Sequence, residues 1–207
     1  MMRALFLLLP LTLAACGTPR QLDRMKDLNA RGDFAALAQE NVACTGAGAV
    51  CSQMHEMKAD ACLREGQRAA APGGSLRAAA PSFACAVRSY DAAIAALPSG
   101  GARDTARLRT GLLLSLRERR DHGGDAPADN ERLIREAAAL RPAAPRIADF
   151  YEATGRFGRA VFDRSPARCG ELAAAVALLG GTPPAKLASA WAGLRSAAMA
   201  EQGGCMA

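Results

Sequence analysis

Four potential metal ligands lie within seven residues of one another, and no other segment offers comparable chemistry. They are Cys51, Met54, His55 and Met57. Thiol, thioether and imidazole groups suit copper(I), and a spacing of four places Cys51 and His55 on one helix face. Methionine is also a common filler of apolar cores, so Met54 and Met57 have a second interpretation as core residues. We favour the core interpretation and expect neither a metal nor another cofactor.

The rest of the sequence carries no arrangement typical of an active site. It contains no Gly-x-Ser-x-Gly, no His-Glu-x-x-His and no phosphate-binding loop, and its histidines are His55 and His122. The aspartates of the 121–129 loop lack the spacing of a calcium-binding loop and are expected to be solvated. We therefore expect that the protein is not an enzyme and has no small-molecule substrate.

The N-terminus has the features of a secretion signal. Arg3 gives it a positive start, and an apolar run over 4–15 follows, interrupted by Pro10 and Thr12. This run is shorter than the roughly 20 apolar residues that span a bilayer, and it has the length of a signal-peptide core. The sequence therefore predicts export from the cytoplasm.

The end of this run resembles the lipobox of bacterial lipoproteins. Leu13 occupies the hydrophobic position, two alanines follow, and Cys16 stands where the lipid is attached. The resemblance implies that residues 1–15 are a signal peptide that is removed and that Cys16 receives a diacylglycerol. Because two or three acyl chains anchor a protein firmly, we expect residues 16–21 to form a lipidated tether to the bilayer. Gly17 in place of an aspartate implies the outer membrane, with the protein facing the periplasm.

Six further cysteines follow, and an even number in an exported protein predicts disulfides. They are Cys44, Cys51, Cys62, Cys85, Cys169 and Cys205. Six cysteines allow fifteen pairings, among which the sequence does not choose. Our working hypothesis pairs them in chain order, so that the last pair pins the C-terminal tail. The second pair would require a shifted hairpin, since Cys62 and Cys85 would stand about five residues, or roughly 7 Å, out of register in a simple one.

The composition predicts an all-α protein with a single helical domain over residues 22–207. Alanine is abundant and favours helix, aromatic residues make up only 4%, and no run alternates Val, Ile or Thr as a strand would. The formal charge is +6, which could favour acidic partners, although an arginine-rich composition explains it more simply. An exported chain without interleaved aromatic and basic residues is not expected to bind nucleic acid.

Apolar residues at helical spacing predict a series of short helices joined by turns. The clearest helix is expected to begin after a cap at Ser82, following an exposed loop over 72–82 that is rich in glycine and proline. A helix over 146–154 is expected to end at Gly155, where the chain would turn into the next helix.

Several of these segments resemble parts of a tetratricopeptide repeat, in which a glycine turn separates two packed helices. Two segments share the spacing of the central turn, namely Tyr151, Gly155, Phe157 and Ala160, and Leu28, Gly32, Phe34 and Leu37. A third has the small, aromatic, small and proline positions of the repeat's end, namely Ala86, Tyr90, Ala93 and Pro98. The resemblance implies an array of helical hairpins that binds other proteins. The alternative is a disulfide-stapled helical bundle.

These observations favour one function and leave two alternatives open. The favoured function is a lipid-anchored, periplasm-facing scaffold or adaptor that binds another envelope protein. The first alternative is a structural envelope lipoprotein without a specific protein partner. The second is a copper-binding lipoprotein, which would require a free thiol at Cys51.

Overall fold

The computed structural model describes residues 17–44, 47–97, 101–163 and 166–205, and the predicted signal peptide and Cys16 lie outside these ranges. Within them the chain forms helices and no strand, which confirms the all-α prediction. The helices are α1 (Gly17–Ala30), α2 (Phe34–Gln39), α3 (Ala49–Ala70), α4 (Leu76–Ala95), α5 (Ala102–Asp121), α6 (Ala126–Leu140), α7 (Pro145–Val161), α8 (Arg168–Leu178) and α9 (Ala188–Gly203), with a 3-10 turn at Ala185–Leu187 before α9.

The helices pack in chain order, so that the protein advances hairpin by hairpin from α3 to α9. In addition, α3 contacts α5, α5 contacts α7 and α7 contacts α9, whereas the even-numbered helices have no comparable contact with one another in the described ranges. The odd-numbered helices therefore form the more closely spaced of two layers.

Three apolar cores hold the described part of this array together. The largest runs from α3 to α9 and contains Leu112, Leu133, Phe150 and Trp191. A second joins α1, α2 and α3, and a third, which contains Phe83, joins α3 and α4. Burial of large apolar side chains is the main favourable contribution to folding. No described helix combines the length and apolarity needed to cross a bilayer.

The first helix begins earlier than predicted. Residues 17–21, assigned to the tether by the sequence, form the first turns of α1. The Gln21 side chain connects α1 to the segment before α3, because its amide donates to the Asn41 carbonyl at 2.6 Å and its Oε1 accepts from the Ala43 N–H at 3.1 Å. These two hydrogen bonds give the predicted tether a fixed place on the protein body.

The start of α4 also differs from the prediction, and the expected cap at Ser82 is wrong. The helix begins at Leu76, and the Ser75 hydroxyl caps it by accepting from the Ala78 N–H. Pro81 lies inside the helix and cannot donate a hydrogen bond to the Arg77 carbonyl. Because Pro81 and Arg77 are both exposed, water can satisfy that carbonyl. Pro81 was interpreted as a helix breaker, and the predicted loop therefore ended too late in the chain.

This earlier start of α4 removes the register problem of the second cysteine pair. Cys62 and Cys85 lie nearly the same number of residues from the loop that joins α3 and α4. They therefore face each other in an ordinary hairpin, with their Cα atoms 5.8 Å apart, which is within disulfide geometry.

The predicted turn at Gly155 is wrong, because α7 continues through this residue to Val161. Gly32 has the equivalent position in the other segment that resembles a tetratricopeptide turn. It does turn the chain, between α1 and α2, with a φ of 70°. Gly155 instead brings α7 close to α6. A Cβ at Gly155 would lie 2.8 Å from the Asn130 carbonyl oxygen. The spacing identified a required glycine, but the requirement comes from helix packing.

Replacing Gly158 by alanine is expected to lower the free energy of unfolding by about 1–3 kcal/mol. The new Cβ would lie 2.1 Å from Oδ1 of buried Asn130, so α6 and α7 would have to move apart. Gly193 in α9 is the control, because a Cβ there meets no atom within 4 Å. Alanine at Gly193 should stabilise the protein by roughly 0.5–1 kcal/mol. Urea unfolding of both variants tests this, and a shift of the same sign in both would contradict it.

Candidate functional site

The three disulfides join the cysteines in the pairs hypothesised from the sequence. They are Cys44–Cys51, Cys62–Cys85 and Cys169–Cys205, with Cα–Cα distances of 5.7, 5.8 and 5.7 Å. The first ties the segment before α3 to the start of α3, the second joins α3 to α4, and the third ties the start of α8 to the residues after α9. The cysteines therefore hold elements of the scaffold together.

The structure does not assemble the four candidate copper ligands into one site. Cys51 is bonded to Cys44, so the free thiol that the copper hypothesis required is not present. Met54 is fully buried in the core of α1, α2 and α3, and Met57 packs against the same core. His55 lines a separate cavity beside Lys58. Helical spacing explains this separation, since Met54 and Met57 share a face that is directed into the core.

The aspartates of the 121–129 loop have different roles, and the expectation that all of them are solvated is wrong. Asp125 caps α6 by accepting from the Ala128 N–H at 3.3 Å. Asp129 is completely buried and pairs with Arg119, whose Nε lies 3.1 Å from both carboxylate oxygens. The pairing joins the end of α5 to the start of α6. The sequence missed it because Arg119 lies on an otherwise polar helix segment.

The buried Tyr90 makes a polar contact at the junction of α3 and α5. This tyrosine belongs to α4 but extends between α3 and α5, where its hydroxyl donates to the exposed Asp60 carboxylate. It lies against the backbone of Gly111, since a Cβ there would be 2.3 Å from the ring. Burial raises the pKa of Tyr90, and nearby Asp60 raises it further. The tyrosine therefore stays a neutral donor that fixes the Asp60 carboxylate at the surface.

Charged side chains continue this surface along α5. The Arg107 guanidinium of α5 pairs with Glu56 of α3. Almost three turns further along, the Arg117 Nη2 lies 2.5 Å from Glu118 Oε1. Burial raises the pKa of the neighbouring Tyr151 on α7 to about 12, with Arg117 acting in the opposite direction. We call the surface formed by these polar side chains of α3 and α5, next to the buried Tyr90 and Tyr151, the odd-helix face.

The odd-helix face offers ion-pair and hydrogen-bond partners, without a nucleophile held by a neighbouring base. Tyr90 was predicted only as part of a repeat pattern, and Asp60 and Gly111 were not singled out from the sequence. In the sequence, the one available sign that a large side chain packs against α5 was Gly111, which lies in the middle of this helix. Comparisons with models of protein families, with curated proteins and with solved structures find no match to this chain.

Proposed function

We propose that this protein is a lipid-anchored scaffold that binds another envelope protein through the odd-helix face. The anchor would be Cys16, with the helical array facing the periplasm from the outer membrane. The observation that carries the proposal is the close spacing of α3, α5 and α7. It brings polar side chains of α3 and α5 onto one surface, as in helical arrays that bind protein segments.

The disulfides support the location outside the cytoplasm. Such bonds form and persist in oxidising compartments, including the bacterial periplasm. All six cysteines after the predicted lipidation site are used in this way. This agrees with the signal-peptide pattern at the N-terminus, which is an independent feature of the sequence.

The chemistry of the odd-helix face suits a polypeptide. The ion pair of Arg107 with Glu56 and the hydrogen bond of Tyr90 to Asp60 hold charged groups in fixed positions. Fixed groups lose little side-chain entropy when a partner binds. Both signs of charge are present along α5. A partner segment would therefore bind best when its own charges lie opposite those of the face.

Site-specific photocrosslinking in the envelope of the living cell tests this proposal. A photoreactive amino acid replaces the exposed Arg107 on the odd-helix face, and the control replaces the exposed Arg135 on α6. We expect a discrete adduct of one molecular mass from position 107 and none from position 135. Adducts of equal yield at both positions, or none at either, would instead favour a structural envelope protein without a specific partner.

A further inference from the structure

A cavity with a strongly basic lining lies away from the odd-helix face. It has a volume of about 240 Å³, opens to solvent, and is lined by α3, α4 and the segment that precedes α3. Its polar lining consists of Asn41, His55, Lys58, Arg88 and Ser89. Three of these five side chains are basic types and none is acidic. Such a cavity concentrates positive potential and attracts anions.

The acidic residues beside this cavity are each paired with an arginine outside its lining. Three of them are direct sequence neighbours of lining residues. The pairs are Glu40 with Arg24, Glu56 with Arg107, and Asp91 with Arg132. These arginines neutralise the carboxylates, which leaves the basic groups of the cavity without acidic partners of their own. Arg88 in particular is exposed and makes no ion pair or hydrogen bond in the described structure.

The walls of the cavity are fixed before any ligand arrives. The Lys58 ammonium donates to the Glu40 carbonyl at 2.6 Å, which holds it at the edge of the segment before α3. The disulfide of Cys44 with Cys51 ties that segment to α3, and Cys85, whose disulfide joins α4 to α3, itself lines the cavity. Fixed walls reduce the entropy lost on binding.

The remaining groups supply hydrogen bonds of the kind a tetrahedral oxyanion needs. The buried Ser89 hydroxyl has only a long contact of 4.0 Å to the Cys85 sulfur, so it is free to donate to a ligand. Burial, with a smaller contribution from Lys58, lowers the pKa of His55, so the imidazole is neutral at neutral pH and can donate one hydrogen bond. Arg88 provides a planar set of donors and Lys58 a point charge, the two ways in which proteins bind phosphate.

We propose that this cavity binds a phosphate group, held by Lys58, Arg88 and the hydroxyl of Ser89. The ligand is either free phosphate or the phosphate of a lipid headgroup, which present the same chemistry to these side chains. This site is separate from the odd-helix face and does not depend on the scaffold function.

Isothermal titration calorimetry of the mature protein in detergent tests this site. The probes are inorganic phosphate and glycerophosphoglycerol, a soluble headgroup, at constant ionic strength. We expect saturable binding with one site per chain, and at least ~10-fold weaker binding in Arg88→Gln, as for loss of a charged hydrogen-bond donor. Arg77→Gln is the control, since it removes the same charge from an exposed position on the same helix, and it should bind within about twofold of the wild type.

The possible outcomes separate the sources of phosphate and include the failure of the proposal. Tighter binding of inorganic phosphate supports a free-phosphate site, and tighter binding of glycerophosphoglycerol supports a headgroup site. Equal weakening in both arginine variants would show that binding reflects net charge alone, and it would overturn the proposal. Absence of saturable binding would also overturn it. Because Arg88 is exposed and unpaired, its replacement should leave the thermal unfolding curve unchanged.

Discussion

Replacing Asp129 by alanine is expected to lower the free energy of unfolding by about 3 kcal/mol. The Asp129 side chain is fully buried, and it is the partner of an Arg119 side chain that is 23% exposed. Alanine would remove one member of a largely buried pair and leave the arginine without its counter-charge. This expected loss is at the low end of the range for breaking a buried ion pair, because part of the Arg119 side chain reaches water.

Asp121→Ala is the matched control for this change. Asp121 is the last residue of α5, and its side chain is 38% exposed and pairs with the adjacent Arg120. Arg120 also donates to the Asn130 side chain and to the Thr154 carbonyl. Because the Asp121 carboxylate reaches water and Arg120 keeps these two hydrogen bonds, this variant should lose no more than about 1 kcal/mol. Urea unfolding followed by circular dichroism measures both variants. An Asp129→Ala variant as stable as Asp121→Ala would contradict the role of the buried pair.

The double replacement of Cys62 and Cys85 by alanine is expected to lower the free energy of unfolding by about 3 kcal/mol. Their disulfide closes a loop with a sequence separation of 23, and opening it returns conformational entropy to the unfolded chain. The disulfide of Cys44 with Cys51 spans a separation of only 7. Because the stabilisation by a disulfide grows with the length of the loop it closes, removing this bond should lower the free energy of unfolding by only about 2 kcal/mol.

The comparison between these two double variants is the informative measurement. Both remove one covalent bond near α3, so a common effect on that helix cancels in their difference. Urea midpoints under oxidising conditions, with the reduced wild-type protein as a reference, give the two values. A larger loss from removing the pair Cys44–Cys51 than from removing Cys62–Cys85 would show that loop closure does not set the contribution of these bonds.

Much of the fold is predictable because short-range patterns determine it. The apolar stripes predicted where most helices lie, since burial of one face follows from spacing alone. The predicted helix boundaries were wrong near Pro81 and at Gly155, where packing against other helices or exposure to solvent decides whether the helix continues. Pro81 is tolerated because it lies on an exposed face, and Gly155 is needed for the approach of α7 to α6. Neither condition can be read from the neighbouring residues in the sequence.

The candidate sites were less predictable than the fold. The four proposed copper ligands formed a compact sequence motif, yet their helical positions direct them to different surroundings. The odd-helix face and the basic cavity bring together residues from separate helices, such as Asp60 with Tyr90 and Lys58 with Arg88. Each is an ordinary polar residue in sequence, and only the packing of helices gives it a partner or leaves it without one.

The positions of the disulfides have a consequence for how the protein comes apart. In a linear array each unit is held by its neighbours, so the two ends have fewer contacts and fray first. Two disulfides lie in the first helices and the third joins α8 to the residues after α9, whereas α5, α6 and α7 have none. From α3 onward, α8 and α9 are the least extensively packed pair of consecutive helices, so the third bond stands where non-covalent support is weakest, whereas Cys62–Cys85 joins the most extensively packed pair, α3 and α4. Under oxidising conditions unfolding should be cooperative across the whole array, and reduction should let amide exchange spread inward from the C-terminal end first.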